Sequence, residues 1–109
     1  MNSNALIVFP STHVVFEGLK VQKENIDENE KTSTFLSYST SKVKNENQII
    51  NSGKKHIIFR LGSVYGFSTD TMRINIMPNL FSKIASQNGK IKLFGGGVQL
   101  KSLVPLIDV

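Results

Sequence analysis

Two apolar runs of strand length, Ala5–Phe9 and His56–Leu61, stand on either side of a polar stretch with helical spacing, and this order constrains the chain more than any other feature. Strands joined through a helix cannot close as a hairpin. The crossover makes them parallel neighbours, and parallel sheets bury both faces. The first run is partly β-branched and is expected to end at Pro10; the second reads His-Ile-Ile-Phe-Arg-Leu. Between them, residues 19–34 are polar, acidic in the middle and aperiodic, as a surface loop is. Ser37 is the expected N-cap of a helix running to about Ser52, with Gly53 and Lys54-Lys55 as its stop. Leu36, Val43 and Ile50 form a thin apolar line on it, and Tyr38, Lys42 and Asn45 or Glu46 follow a second line.

Beyond Arg73, the positions Met77, Leu80, Phe81, Ile84 and Ala85 repeat at helical spacing, with Pro78 in the first turn and Asn88-Gly89 closing the segment. Its methionine and phenylalanine read as core. Lys90–Phe94 is expected as a short strand, Gly95-Gly-Gly97 as a turn, and Val98–Val104 as a further extended stretch broken by Pro105. The expected fold class is α/β with a parallel sheet.

At 109 residues there is room for one domain with a modest core. The longest apolar run, Ala5–Phe9, is far too short to span a bilayer, and the N-terminus lacks the basic region and long apolar stretch of an export signal. A cytoplasmic location is therefore expected. Without cysteine there are no disulfides and no thiolate metal sites, and no other pattern suggests a metal. The net charge of +5 raises the question of nucleic acid. The lysines are scattered, however, and four of the eight acids fall between Glu24 and Glu30, so no basic stripe forms and solvated faces account for the charge.

The stretch Tyr38-Ser-Thr-Ser-Lys42 carries the chemistry. Tyrosine and lysine four positions apart share one helical face, where an ammonium favours the ionised phenol. That matters because a phenol near its free pKa of about 10 is a poor proton donor or base at neutral pH. The same five residues also suit an ordinary exposed pair. Ser11 and Thr12 stand at the carboxyl end of the first strand, the region where open α/β sheets bind ligands, although hydroxyls there also cap turns. Gly62-Ser-Val-Tyr-Gly66 leaves the second strand at its carboxyl end, so three stretches are expected to meet in one crevice.

Together these segments resemble the extended short-chain dehydrogenase/reductase family, the NAD(P)-dependent nucleotide-sugar epimerases, dehydratases and reductases. Ser11-Thr-His-Val-Val-Phe-Glu-Gly18 is similar to the Ser-Thr-x-x-Val-Phe-Asp-Gly form of deoxysugar-nucleotide reductases, and Tyr38-Ser-Thr-Ser-Lys42 with Glu46 to the family's Tyr-x-x-x-Lys helix. Arg60-Leu-Gly-Ser-Val-Tyr-Gly66 looks like the Arg-x-x-Asn-Val-Tyr-Gly segment. The run from Gly95 to Asp108 follows Gly-Asp-Gly-x-Gln-x-Arg-Asp-Phe-Val-His-Val-x-Asp.

The resemblance implies a Rossmann-like parallel sheet. It makes residues 1–66 the second half of an NAD(P)-binding domain with its Tyr/Lys helix, and residues 67–109 the beginning of a substrate-binding region. Tyr38 is implied as general acid/base. Lys42 is implied as the residue that binds the nicotinamide ribose and lowers the phenol pKa, and Thr12, with Ser11 as the alternative, as the hydroxyl on the reacting oxygen. Leu61, Gly62, Ser63 and Val64 line nicotinamide and substrate by the same token, while Asn75 and Lys101 contact the nucleotide diphosphate. A nucleotide sugar is the implied substrate, NAD or NADP the cofactor, and a homodimer through the Tyr38 helix the assembly.

Several positions depart from the family pattern. Lys101 replaces an arginine and loses its bidentate fork; Ser63 replaces an asparagine and Gly96 an aspartate, and Ser102 and Pro105 also differ. No glycine-rich strand–turn–helix unit for a pyrophosphate occurs, and Gly95-Gly-Gly97 does not lead into a helix. The chain is thus expected to be the interior of a longer enzyme and inactive in isolation. The rival expectation is a non-catalytic relative that serves as a dimerisation or small basic binding module.

Overall fold

The computed structural model describes residues 4–109. The chain divides into two compact units, Met1–Leu61 and Gly62–Val109.

The first unit is the expected strand–helix–strand. Strands β1 (Ile7–Thr12) and β2 (His56–Leu61) pair in parallel, in register from Ile7 opposite His56 to Thr12 opposite Leu61. A 3-10 turn (His13–Phe16) follows β1, and helix α1 (Ser37–Asn51) makes the crossover. The fold is α/β of the Rossmann-like kind.

Three details differ from the expectation. Pro10 does not end β1, which runs on to Thr12. The Ile7 N–H donates to the Lys55 carbonyl (2.9 Å), so by the alternation of a strand the nitrogen of Pro10 faces away from β2 and its missing proton costs no ladder bond. Ser37 is not the N-cap: Leu36 holds that place, and no side chain of its own caps the helix. Finally, the apolar line of α1 is not its buried line. Leu36 and Ile50 are about half exposed, at 51% and 49%, while the two buried residues of the helix are Ser39 and Glu46. Those two positions lie two turns apart and face the sheet.

Alternation sorts the strands in the same way. Phe9, Ser11 and Arg60 meet α1, while Val8, Pro10, Ile57 and Phe59 lie exposed on the opposite face. Residues 19–34 carry no strand or helix, as expected of the loop. Its end is nevertheless stapled down, with the Ser33 N–H on the Val15 carbonyl and the Gly18 N–H on the Ser33 carbonyl, each at 2.9 Å.

In the second unit, β3 (Ser63–Tyr65) and β4 (Leu103–Pro105) form a second parallel pair, Ser63 opposite Leu103 and Tyr65 opposite Pro105. Helix α2 (Met77–Ser86) has Pro78 in its first turn, where a missing N–H is harmless. It has no fully buried residue, and Met77 is 39% exposed, so the expectation of a core methionine fails. Lys90–Phe94 is not a strand either. Phe94–Gly97 winds into a 3-10 turn in which Gly95 and Gly96 take left-handed backbone, and the Gln99 amide closes it on the Phe94 carbonyl at 3.0 Å. Of the extended stretch expected over Val98–Val104, only its end is strand, because regular pairing needs β3 alongside.

Among the described residues, Val15 is the one hydrophobic side chain in the core class, with none of its surface exposed. Deleting its two methyls (Val15→Ala) should lower the unfolding free energy by about 1–3 kcal/mol, read as a shift in the urea midpoint at constant slope.

Candidate active site

The first unit holds Ser11, Thr12, Tyr38, Lys42 and Leu61. One helical turn separates Tyr38 from Lys42, and the Lys42 Nζ stands 5.8 Å from the centre of the Tyr38 ring. The same ammonium lies 4.8 Å from the Phe9 ring and donates to the Pro10 carbonyl at 2.8 Å. That carbonyl faces the side of β1 away from β2, and it brings Lys42 to the strand just before Ser11 and Thr12. The phenol is 58% exposed.

The two strand-end hydroxyls are in different states. Ser11 donates its proton to Glu46 on α1. Thr12 Oγ1 accepts the Val14 N–H at 3.3 Å and so caps the 3-10 turn. A hydroxyl carries one donor and two acceptor sites, so capping occupies a lone pair of Thr12 and leaves its proton for another partner. Ser11 has no proton left to give.

Glu46 is the most constrained group in the unit, with 2% of its surface exposed. Arg60 grips it through Nη2 (2.7 Å) and Nε (3.2 Å to each oxygen), and Ser11 supplies a third donor. Burial pushes its carboxyl up. The hydrogen bonds from Arg60 and Ser11 and the arginine charge outweigh that, and the carboxyl titrates below its ordinary value of 4.5. Arg60 also lies 5.4 Å from the Phe16 ring, so one side chain joins β2, α1 and the turn after β1.

A second carboxylate holds the start of α1. Glu17 accepts the N–H groups of Phe35 (3.3 Å) and Leu36 (2.9 Å) and the hydroxyl of Ser39. The Ser39 hydrogen bond first, and then the two backbone bonds, keep its carboxyl below the ordinary range in spite of some burial. Neither this carboxylate nor the Glu46–Arg60 pair is foreseen from sequence as a partnership. The available signal is an acidic residue within an otherwise apolar or hydroxyl-bearing segment, as at Glu17.

The second unit holds Gly62, Ser63, Val64, Asn75 and Lys101. The Ser63 N–H donates to the Ser102 carbonyl at 2.8 Å, which fixes the neighbour of Lys101 against β3. Asn75 and Lys101 are exposed. A cavity of about 620 Å³ opens in this unit between the end of β3 and α2, lined by Tyr65, Phe67, Met72, Ile74 and Lys83 among others, and by none of the residues expected from sequence. Asn79 supports its wall: Oδ1 accepts the Gly66 N–H and Nδ2 donates to the Arg73 carbonyl, both at 3.1 Å.

The phenol of Tyr38 and the ammonium of Lys42 offer two hydrogen-bond donors one helical turn apart. Among the described residues no glycine-rich turn leads from a strand into a helix. Among the same residues no cluster of His, Asp and Glu could hold a metal, and no helix is long and apolar enough to cross a membrane.

A parallel βαβ unit with Tyr and Lys one turn apart on its crossover helix, beside hydroxyls at the strand end, defines a Rossmann-like protein of the short-chain dehydrogenase/reductase kind. Residues 1–94 match the family described as RmlD substrate binding domain, and the chain belongs to that family, within the NAD-dependent epimerase/dehydratase superfamily. No curated protein and no solved structure matches the chain.

Removing one member of a buried pair strands the other, so Glu46→Ala should cost about 2–3 kcal/mol, at or below the lower end of the roughly 3–5 kcal/mol of a fully buried pair because Arg60 keeps a quarter of its side chain in water, at 24%. The folded carboxyl is more acidic than the unfolded one. Its contribution is therefore complete above the ordinary value of 4.5 and disappears as pH falls through the folded value. Chemical denaturation at successive pH values should show this acid loss, and Glu46→Gln should flatten it.

Proposed function

We propose that the chain supplies the proton-transfer residues of an NADPH-dependent nucleotide-sugar reductase, with Tyr38 as general acid, Lys42 as its partner and Thr12 as the hydroxyl on the reacting oxygen. The observation that carries this reading is the seat of Lys42, one turn from Tyr38 and bonded to the carbonyl of Pro10 in β1, two residues before Thr12. Family membership supports the substrate class and the cofactor.

Bound NADPH would supply the hydride to a sugar carbonyl. The phenol of Tyr38 gives its proton to the oxygen that becomes a hydroxyl, and its exposure leaves it open to a ligand. Lys42 exchanges the Pro10 carbonyl for ribose hydroxyls and keeps its positive charge beside the phenol, which favours the phenolate left after transfer. Thr12, with its proton uncommitted, donates to the same sugar oxygen, while Ser11 serves Glu46. Leu61 ends β2, Gly62, Ser63 and Val64 come after it, and these four line nicotinamide and substrate. Asn75 and the charge of Lys101 hold the diphosphate.

A second copy suits the outer side of α1. Leu36 and Ile50 are half exposed on one helical line, which supports a dimer formed through that helix. Leu36→Asp with Ile50→Asp should then shift the mass measured by light scattering to that of the monomer.

The reading is tested in the full-length protein, with dTDP-4-dehydrorhamnose as the substrate probe and NADPH oxidation as the signal. Tyr38→Phe should lower kcat by about a hundredfold or more with the fold intact by circular dichroism. Ser11→Ala should lower stability before turnover. Undiminished turnover by Tyr38→Phe, or no NADPH oxidation by the wild type with this or a related nucleotide sugar, overturns the assignment.

A further inference from the structure

The hydroxyl of Thr12 and the phenol of Tyr38 lie on different elements, and a substrate oxygen shared between them requires a set separation. Neither residue provides that itself. Tyr38 is exposed, and among the described residues the Thr12 hydroxyl bonds to the turn that it caps. We propose that Glu17 is a positioning residue, a carboxylate clamp that ties the segment carrying Thr12 to the start of the helix carrying Tyr38. The proposal rests on the roles given to Thr12 and Tyr38 above.

The path is short and closed at each step. Thr12 caps the turn His13–Phe16, the turn ends on Glu17, and the Glu17 N–H returns to the Val14 carbonyl at 3.0 Å. From there the carboxylate takes the N–H groups of Phe35 and Leu36, the two residues that lead into α1, and the hydroxyl of Ser39, the neighbour of Tyr38.

All three donors converge on one oxygen, Oε1. Such a group is shaped by its partners. The hydroxyl involved belongs to a side chain with none of its surface exposed, so it cannot turn to water instead. Two backbone bonds, from Ser33 to Val15 and from Gly18 to Ser33, lay the two segments of this clamp side by side. Gly18 is needed for that approach: a Cβ at this position would stand 2.6 Å from the Ser33 hydroxyl and 3.1 Å from the Ser33 backbone.

The helix also needs an outside anchor. Leu36 offers no capping side chain, and an anion at a helix start both accepts free N–H groups and suits the dipole. Glu17 provides the anion from a distant place in sequence. The clamp is thus able to hold the direction of α1 at the turn where Tyr38 leaves it.

The test compares Glu17→Gln, Ser39→Ala and Tyr38→Phe in the same full-length protein, with the same nucleotide sugar and NADPH. Ser39→Ala keeps the volume of a buried position nearly unchanged, so it guards against a Glu17 variant that fails to fold. Expected in both clamp variants are a fall in kcat of about tenfold or more with KM for NADPH held within about twofold, because a small misplacement of a reacting group is costly. Amide exchange at Phe35 and Leu36 should quicken, while Ile57, Ile58 and Phe59 in β2 exchange as in the wild type. Full kcat in both clamp variants, or unchanged exchange at Phe35 and Leu36, overturns the clamp while an inactive Tyr38→Phe leaves the proposed function standing. An active Tyr38→Phe overturns that function, and the clamp's role with it.

Discussion

A carboxylate that keeps 2% of its surface in water cannot be left without partners, and the first unit of this protein is arranged around satisfying one. Glu46 sits on the inner line of α1, directly over the two strands, and draws Arg60 from β2 and Ser11 from β1 onto itself. Because the three residues come from three different elements, their bonds form only when strands and helix are in register. The interaction is directional where an apolar contact is not. That compensates for a helix whose apolar residues point elsewhere and for a unit in which, among the described residues, Val15 alone of the hydrophobic side chains is fully buried.

The residues with chemical potential depend on that arrangement without contributing much to it. Tyr38 is exposed, and Lys42 holds a single carbonyl at the rim of β1. Ser39, next to Tyr38, and Glu46, one turn beyond Lys42, are by contrast buried and are tied to Glu17 and to Arg60 with Ser11. An α-helix transmits such restraints rigidly over two turns, so anchoring positions 39 and 46 determines where 38 and 42 can be. Division of labour of this sort leaves Tyr38 exposed while its neighbours satisfy the fold.

The parallel strand pair, the crossover helix and α2 were legible because each has a local cause: an apolar run, a helical period, a stop at Gly53 or Asn88-Gly89. The likeness of the chain to a known family was legible too, and the family match runs over residues 1–94. Lys90–Phe94 was misread for the converse reason. Its alternation suits a strand, but no neighbouring strand pairs with it, and alternation without a partner yields none. Pro10 was misread as an end because the sequence does not say which edge of a strand is unpaired.

By itself, then, the order of residues determined the α/β class, the parallel sense of β1 and β2, and the pairing of Tyr38 with Lys42 on one helical face, since all of these follow from period and connection. Tertiary structure alone decided which face of α1 turns inward, which of two adjacent hydroxyls gives up its proton, and which carboxylates grip the helix. Those outcomes depend on partners 14 to 35 residues away, such as Arg60 and Ser11 for Glu46, and no local pattern encodes a bond that exists only after distant segments have been brought together.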